Sequence, residues 1–131
     1  MSAGAVLQAA VVAHLREVGP EGLMVFDAPP VRGGVPYAVV GEAVLGAADA
    51  AGVAGRVGTI AVTCIDDGER PVRLRALVGA VEEAVAGLTG DPGQGWRIAG
   101  LRLARSRIVA AKGDRWVATS EFAVRLFRID S

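Results

Sequence analysis

The sequence contains one cysteine, Cys64, and one histidine, His14. A lone cysteine excludes an internal disulfide and a multi-cysteine metal site. A lone histidine with no acid or nucleophile beside it gives little support to acid–base or nucleophilic catalysis. Aromatic residues make up 5% of the chain, so stacking platforms for single-stranded nucleic acid are scarce. No stretch approaches the roughly 20 uninterrupted apolar residues of a membrane span, and no membrane partner is expected. The first charged residue is Arg16 and the opening segment is amphipathic, unlike a secretory leader. The expectation is a soluble protein assembled in a reducing cytoplasm. The phosphate-loop pattern GxxxxGK[ST] and the dinucleotide pattern GxGxxG are missing. "VRGGVP" (Val31 to Pro36) is glycine-rich, but no helix follows it to present an N-terminus. No enzyme activity, no catalytic residue, no cofactor and no metal is therefore expected.

Charge of one sign is also lacking overall: 14 basic residues balance 14 acidic ones. The distribution is uneven. Residues 1 to 90 hold six arginines and ten acids, a net of −4, and residues 91 to 131 hold eight bases and four acids, a net of +4. Either arginines cover a solvated sheet face, or the molecule is two-signed and docks to copies of itself or to a partner. Hydrophobic residues make up 52% of the 131, enough for one globular domain over residues 1–131 with its own core.

Periodicity predicts a helix from Ser2 to Val18, capped by Ser2, with Val6, Leu7, Val11, Leu15 and Val18 in its apolar stripe. Leu23 to Phe26 reads as a short strand ended by Pro29 and Pro30. Tyr37 to Leu45 reads as one continuous, mostly buried strand. Gly46 to Gly58 is small and glycine-rich and reads as a long loop, with a helical turn as the alternative. Arg56 to Asp66 alternates as a strand, with Ile60, Val62 and Cys64 on one face and Val57, Thr59, Ala61, Thr63 and Ile65 on the other. A second helix is predicted from Pro71 to Leu88, capped by Asp66 or Asp67, with Arg73, Arg75, Glu82 and Glu83 facing away from its stripe. Thr89 to Gly95 is a turn cluster. Trp96 to Ala110 and Arg115 to Ile129 form a long hairpin around Lys112 to Asp114. The fold class is α+β. The expected architecture is an antiparallel sheet of four to five strands with two helices on one face. The C-terminal hairpin is long enough that part of it projects or pairs with another chain.

The polar candidates have plain readings. His14 lies at the edge of the helical stripe as a structural histidine. Cys64 behaves as a small buried hydrophobe. Asp66, Asp67 and Glu69 suit the start of a helix better than a calcium loop, whose remaining ligands are missing. The arginines Arg97, Arg102, Arg105, Arg107, Arg115, Arg125 and Arg128 could track phosphates. A solvated or inter-subunit sheet face is the stronger reading. Arg105 and Arg107 share a strand face there, with Arg125 on the neighbouring strand.

The layout resembles the tail-terminator or tail-completion proteins of long-tailed phages, prophages and gene transfer agents. "MSAGAVLQAAVVAHLRE" looks like the family's opening helix. "VFDAPPVRGGVPYAVVGEA" is similar to its strand, proline-containing link and Pro-Tyr-x-x-x-Gly-Glu motif, here Pro36, Tyr37, Gly41 and Glu42. "RVGTIAVTCIDD", "ERPVRLRALVGAVEEAVAGL" and the closing hairpin with Trp116 after its turn resemble the remaining elements. The resemblance implies a structural protein of the virion tail, assembled in the bacterial cytoplasm. It implies a homohexameric ring on the head-proximal end of the tail tube. Its partners would be itself, the tail tube protein and a head–tail connector or head completion protein. DNA would pass through the ring without direct recognition. The loop and hairpin supply the candidate inter-subunit or tube contacts: Asp49, Arg56, Arg105, Arg107, Lys112, Asp114, Arg115 and Arg125. Another head–tail joining or minor tail protein of similar fold, and a small nucleic-acid-binding module, are the alternatives.

Overall fold

The computed structural model describes residues 1–129. Helix α1 spans Ala3–Val18, and the Ser2 hydroxyl accepts a 3.1 Å hydrogen bond from the Ala5 amide. Strands β1 (Met24–Phe26), β2 (Tyr37–Val40), β3 (Val44–Ala47) and β4 (Ala54–Asp67) follow. Helix α2 is Val72–Ala86, and β5 (Gly90–Gly93), β6 (Trp96–Ala110) and β7 (Arg115–Arg128) complete the described chain.

The α+β class holds, but the sheet has seven strands in the order β1-β2-β4-β7-β6-β5, with β3 also on β4. It is mixed rather than antiparallel, because β1 runs parallel to β2. The link from Asp27 to Pro36 does not turn back as a hairpin would. It returns the chain to the same end of the sheet before β2 begins. The Val35–Pro36 peptide within it is cis. Two side chains of α1 fasten this corner. The Gln8 amide donates to the carbonyls of Asp27 and Val40, and the Arg16 guanidinium donates to the Val25 carbonyl at 2.7 Å.

The expected continuous strand Tyr37 to Leu45 is broken in two. Val40 sits opposite Val62 and Val44 opposite Thr59, so Gly41, Glu42 and Ala43 face only Ile60 and Ala61. One extra residue in a pleated strand reverses which side chains face inward. Ala38 and Val40 point to the core before the bulge, and Leu45 packs against the core after it, leaving Val44 exposed.

The segment Gly46 to Gly58 is not a long loop. Strand β3 continues to Ala47 and β4 begins at Ala54, joined by a tight turn with an Ala50–Val53 bridge. Two of its glycines mark close backbone approach, not flexibility. A Cβ on Gly58 would lie 1.9 Å from the Val44 carbonyl oxygen, and one on Gly55 would lie 2.3 Å from that of Ala48. Glycine is the residue that permits such contact inside a sheet. The turn cluster after α2 likewise contains a strand, β5, pairing with β6 at Gly90 and Gly93.

Both helices lie on one face of the sheet. Leu7, Val11 and Leu15 of α1 and Leu74, Val78, Val81 and Val85 of α2 share a buried cluster with Ile60, Val62, Phe122, Val124 and Leu126. The start of α2 differs from expectation. Pro71 is the N-cap and no side chain caps it. Glu82 turns toward the sheet instead of away, and accepts a 2.6 Å hydrogen bond from the buried Ser120 hydroxyl. His14 is a structural tie between the helices, its Nε2 2.9 Å from the Ala84 carbonyl oxygen.

Strand β7 does not project. It pairs along its whole length with β4 on one side and with β6 on the other. The far end of the hairpin is held by the Gly68 amide donating to the Asp114 carbonyl and by the Trp116 indole donating to the Gly68 carbonyl. Within the hairpin, the strand with an open edge is β6, because β5 covers only its Trp96 to Ile98 end.

Candidate assembly interface on the uncovered sheet face

Helices cover one face of the sheet, here called inner, and among the described residues no layer lies over the other face, called outer. Along β7 the even-numbered residues Ala118, Ser120, Phe122, Val124 and Leu126 are buried beneath the helices. The odd-numbered residues Thr119, Glu121, Ala123 and Arg125 face outward. Opposite them on β4 stand Thr63, Ala61, Thr59 and Val57. The middle of the outer face is therefore threonine and alanine, a polar surface of low relief.

Strand β6 supplies its charge. Strict alternation along β6 would place Arg97, Arg105 and Arg107 on one face and Arg102 on the other. The observed register has two shifts, at Ala99 and at Ala104. Each slips the alternation by one residue. As a result Arg97 lies opposite Phe127, Arg102 opposite Ala123, Arg105 opposite Glu121 and Arg107 opposite Thr119. All four face outward, and Arg125 of β7 joins them opposite Gly100. Two alanine bulges thus convert a scattered series into a basic stripe. The bulges and charges also discourage non-specific pairing along the open β6 edge.

The arginines are not equally engaged. Arg97 contacts Asp91 at 2.7 Å and Arg105 contacts Glu121 at 3.4 Å. Among the described residues, Arg102, Arg107 and Arg125 form no ion pair. A depression of about 440 Å³ is lined by Arg105, Ser106, Arg107, Thr119 and Glu121. A second, of about 240 Å³, lies between Val57, Gly100, Arg102, Ala123 and Arg125. Such guanidinium groups bind planar carboxylates or phosphates by donating charge-assisted hydrogen bonds to their oxygens.

The other candidate contacts lie elsewhere. Asp49 and Arg56 pair at 3.3 Å beside the β3–β4 turn, where the Asp49 carboxylate also accepts from the Gly55 amide. Arg56 and Arg128 lie over the ring of the buried Trp96, with guanidinium carbons 5.4 and 4.8 Å from its centroid. These are cation–π contacts on the helix side of the sheet. Lys112 and Asp114 occupy the β6–β7 turn, and Arg115 pairs with Asp67 across the strands at 2.9 Å. So the eight candidates fall into three places, and Arg105, Arg107 and Arg125 are the ones that share the outer-face stripe. Arg97 and Arg102 complete that group. Periodicity alone misses Arg102, because an alanine that forms a bulge looks like any other alanine.

The remaining polar groups anchor the fold. Asp66 is buried, and Arg73 donates to both of its carboxylate oxygens, at 2.8 and 2.5 Å. Arg73 thereby holds the Asp66 carboxyl below the usual carboxylate range. Asp66 tethers α2 to β4 through a side chain on the helix; neither it nor Asp67 caps the helix. Burial, with a smaller contribution from Glu82, pushes the Cys64 thiol up to about 12. Among the described residues, no three of His, Cys, Asp and Glu gather as a metal site.

No curated protein matches the sequence. A chain of a solved structure titled as the virion of a native gene transfer agent particle is similar throughout. It is 27% identical with a TM-score of 0.82, covering 97% of this chain and 99% of that one. The family model described as tail completion protein gp17 matches residues 5–126. The chain belongs to this tail completion family, whose members are structural proteins of the virion tail.

Proposed function

We propose that this chain, acting as one domain, forms a closed ring on the head-proximal end of a phage-like tail tube. The ring ends polymerisation of the tube and presents a surface to the head–tail connector. Its partners are further copies of itself, the tail tube protein and the connector, and the homohexamer is the expected form. DNA passes through the ring without sequence readout, and the role requires no catalysis. The observation that carries this reading is the uncovered sheet face with its aligned arginines, in a chain of the tail completion family. A surface that the fold leaves open and charges on one edge is suited to assembly.

The test is native mass across protein concentration, with negative-stain images, followed by binding to assembled tail tubes. Closed rings near six subunits, or capping of tube ends with arrest of their growth, are the expected results. A protein that stays monomeric and ignores tubes overturns the proposal. The arginine stripe gives a second reading, a duplex-binding module, which predicts steeply salt-dependent affinity for DNA by the isolated monomer.

A further inference from the structure

We infer that the outer sheet face of one copy docks on the helix layer of the next copy, its arginines meeting Glu17, Glu21 and Glu83. This rests on the ring reading above. A closed ring of identical chains needs two different patches that complement each other. The fold is a slab with helices on one side and an open sheet on the other, so its opposite sides are already distinct.

The outer face and the C-terminal ends of the helices differ in sign where each is unsatisfied, while the exposed Arg75 stands near the other end of α2. On the outer face Arg102, Arg107 and Arg125 are without an ion pair among the described residues. On the helix side, Glu17 sits in the last turn of α1 and Glu83 in the last turn of α2, with Glu21 in the turn after α1. All three are exposed, and among the described residues none is ion-paired. The carbonyl end of a helix disfavours an acid and favours a cation. The nearby Arg16 does not relieve them, because its guanidinium is committed to the Val25 carbonyl. Between the helices runs a crease of about 300 Å³ lined by Val18, Gly19, Pro20, Ala80, Glu83 and Ala84. An arginine laid there would rest its stem on apolar surface and reach Glu83 with its head.

A protein surface fits the outer face better than a phosphate backbone does. The stripe contains its own carboxylates, Asp91 and Glu121, which repel phosphate. The same face exposes Val44, Val57 and Val109, apolar groups that a neighbouring protein covers and nucleic acid does not.

The experiment is a reciprocal charge reversal in the full chain. One variant carries Arg102→Glu and Arg107→Glu; the other carries Glu17→Arg and Glu83→Arg. All four side chains are exposed, and circular dichroism melts check that both variants fold. Each variant alone is expected to lose at least about tenfold in ring formation. An equimolar mixture is expected to regain it, because reversed faces then meet reversed patches around an alternating ring. Alternation closes only for an even number of subunits, so recovery also bears on the subunit count. The inference is overturned if either folded variant assembles like the parent, or if mixing restores nothing. It is also overturned if the arginine variant loses fluorescent duplex binding while its rings persist, which assigns the stripe to nucleic acid. Failure of the parent chain to ring in solution or on tubes is a separate result and counts against the ring reading. The docking itself is then read by a flexible bismaleimide on Arg107→Cys/Glu83→Cys. Face-to-back contact gives a ladder of linked chains, and a single dimer band or none rejects it.

Discussion

Strand β7 carries two surfaces on one backbone. Its even-numbered side chains are buried under the helices, and its odd-numbered ones face outward beside an arginine stripe. Adjacent residues such as Phe122 and Ala123 therefore answer to different demands. The inner face holds the fold by apolar burial. The outer face is left open, and little of the folding free energy depends on it. The same division runs through β4, where Ile60, Val62 and Cys64 face inward and Thr59, Ala61 and Thr63 outward.

The largest effect should come from breaking the inner face at its centre. Phe122 is fully buried. Phe122→Ala should cost about 3–5 kcal/mol, from lost burial and the cavity left behind. Ala123→Ser, one residue along on the outer face, should stay within about 0.5 kcal/mol. Urea unfolding of both variants measures the contrast, and similar losses at the two positions would dissolve the distinction between the faces.

Next comes the junction where both faces meet the bulged strand. A side chain at Gly58 collides with the Val44 carbonyl, which belongs to backbone and cannot swing away. Gly58→Val should cost about 1–3 kcal/mol and should loosen β3 selectively. Hydrogen exchange should show faster amides at Val44 to Ala47, with β7 still protected. Unchanged protection in β3 would mean that the close approach is not a constraint.

That junction also shows what a sequence can disclose. The two helices, the inner stripe of β7 and the long hairpin were legible, because each rests on a repeat of 3.6 or 2 residues carried over many positions. The tail family was legible from the order of short segments. The bulges at Gly41 to Ala43, Ala99 and Ala104 were not legible, because each depends on a register chosen by the partner strand. They account for the broken strand and for the face on which Arg102 emerges. Gly55 and Gly58 read as loop signals for a related reason. A glycine required by close packing and one required by a turn look alike until the neighbouring backbone is known. Of the eight candidate contacts, three fall in the stripe. The others lie near a loop or turn, and Asp49, Arg56 and Arg115 are drawn into pairs within the chain.

A smaller effect separates two ion pairs of the same chemistry. Asp66 with Arg73 ties the helix layer to the sheet, and its carboxylate is buried. Glu121 with Arg105 spans the outer face, and its arginine is largely exposed. The folded-state pKa of Asp66 is lowered. Its contribution is therefore present above the ordinary carboxylate value and lost as pH falls through the lower, folded one. Asp66→Asn should flatten the acid side of the stability profile. Urea unfolding across acid pH measures that slope, and an unchanged slope in Asp66→Asn would contradict the role of the buried pair.

The smallest effect on stability near neutral pH comes from the most direct probe of sidedness. Thr63 and Cys64 are neighbours on β4 that point to opposite faces. A thiol reacts as the thiolate and only where reagent reaches it. Cys64 is buried and its thiol is pushed up to about 12, so it should stay unmodified until the protein unfolds. Thr63→Cys should be labelled at the rate of an accessible thiol in the monomer, and more slowly wherever a neighbouring copy covers the outer face. Above the ordinary thiol pKa the unfolded chain loses a proton that the folded chain keeps. The raised pKa of Cys64 thus gives a contribution that is fully present below that value and declines as pH rises toward about 12. Cys64→Ala should remove that alkaline slope. Rapid labelling of Cys64 in the native state would place it on the wrong side of the sheet, and the two-face description of β4 would fail with it.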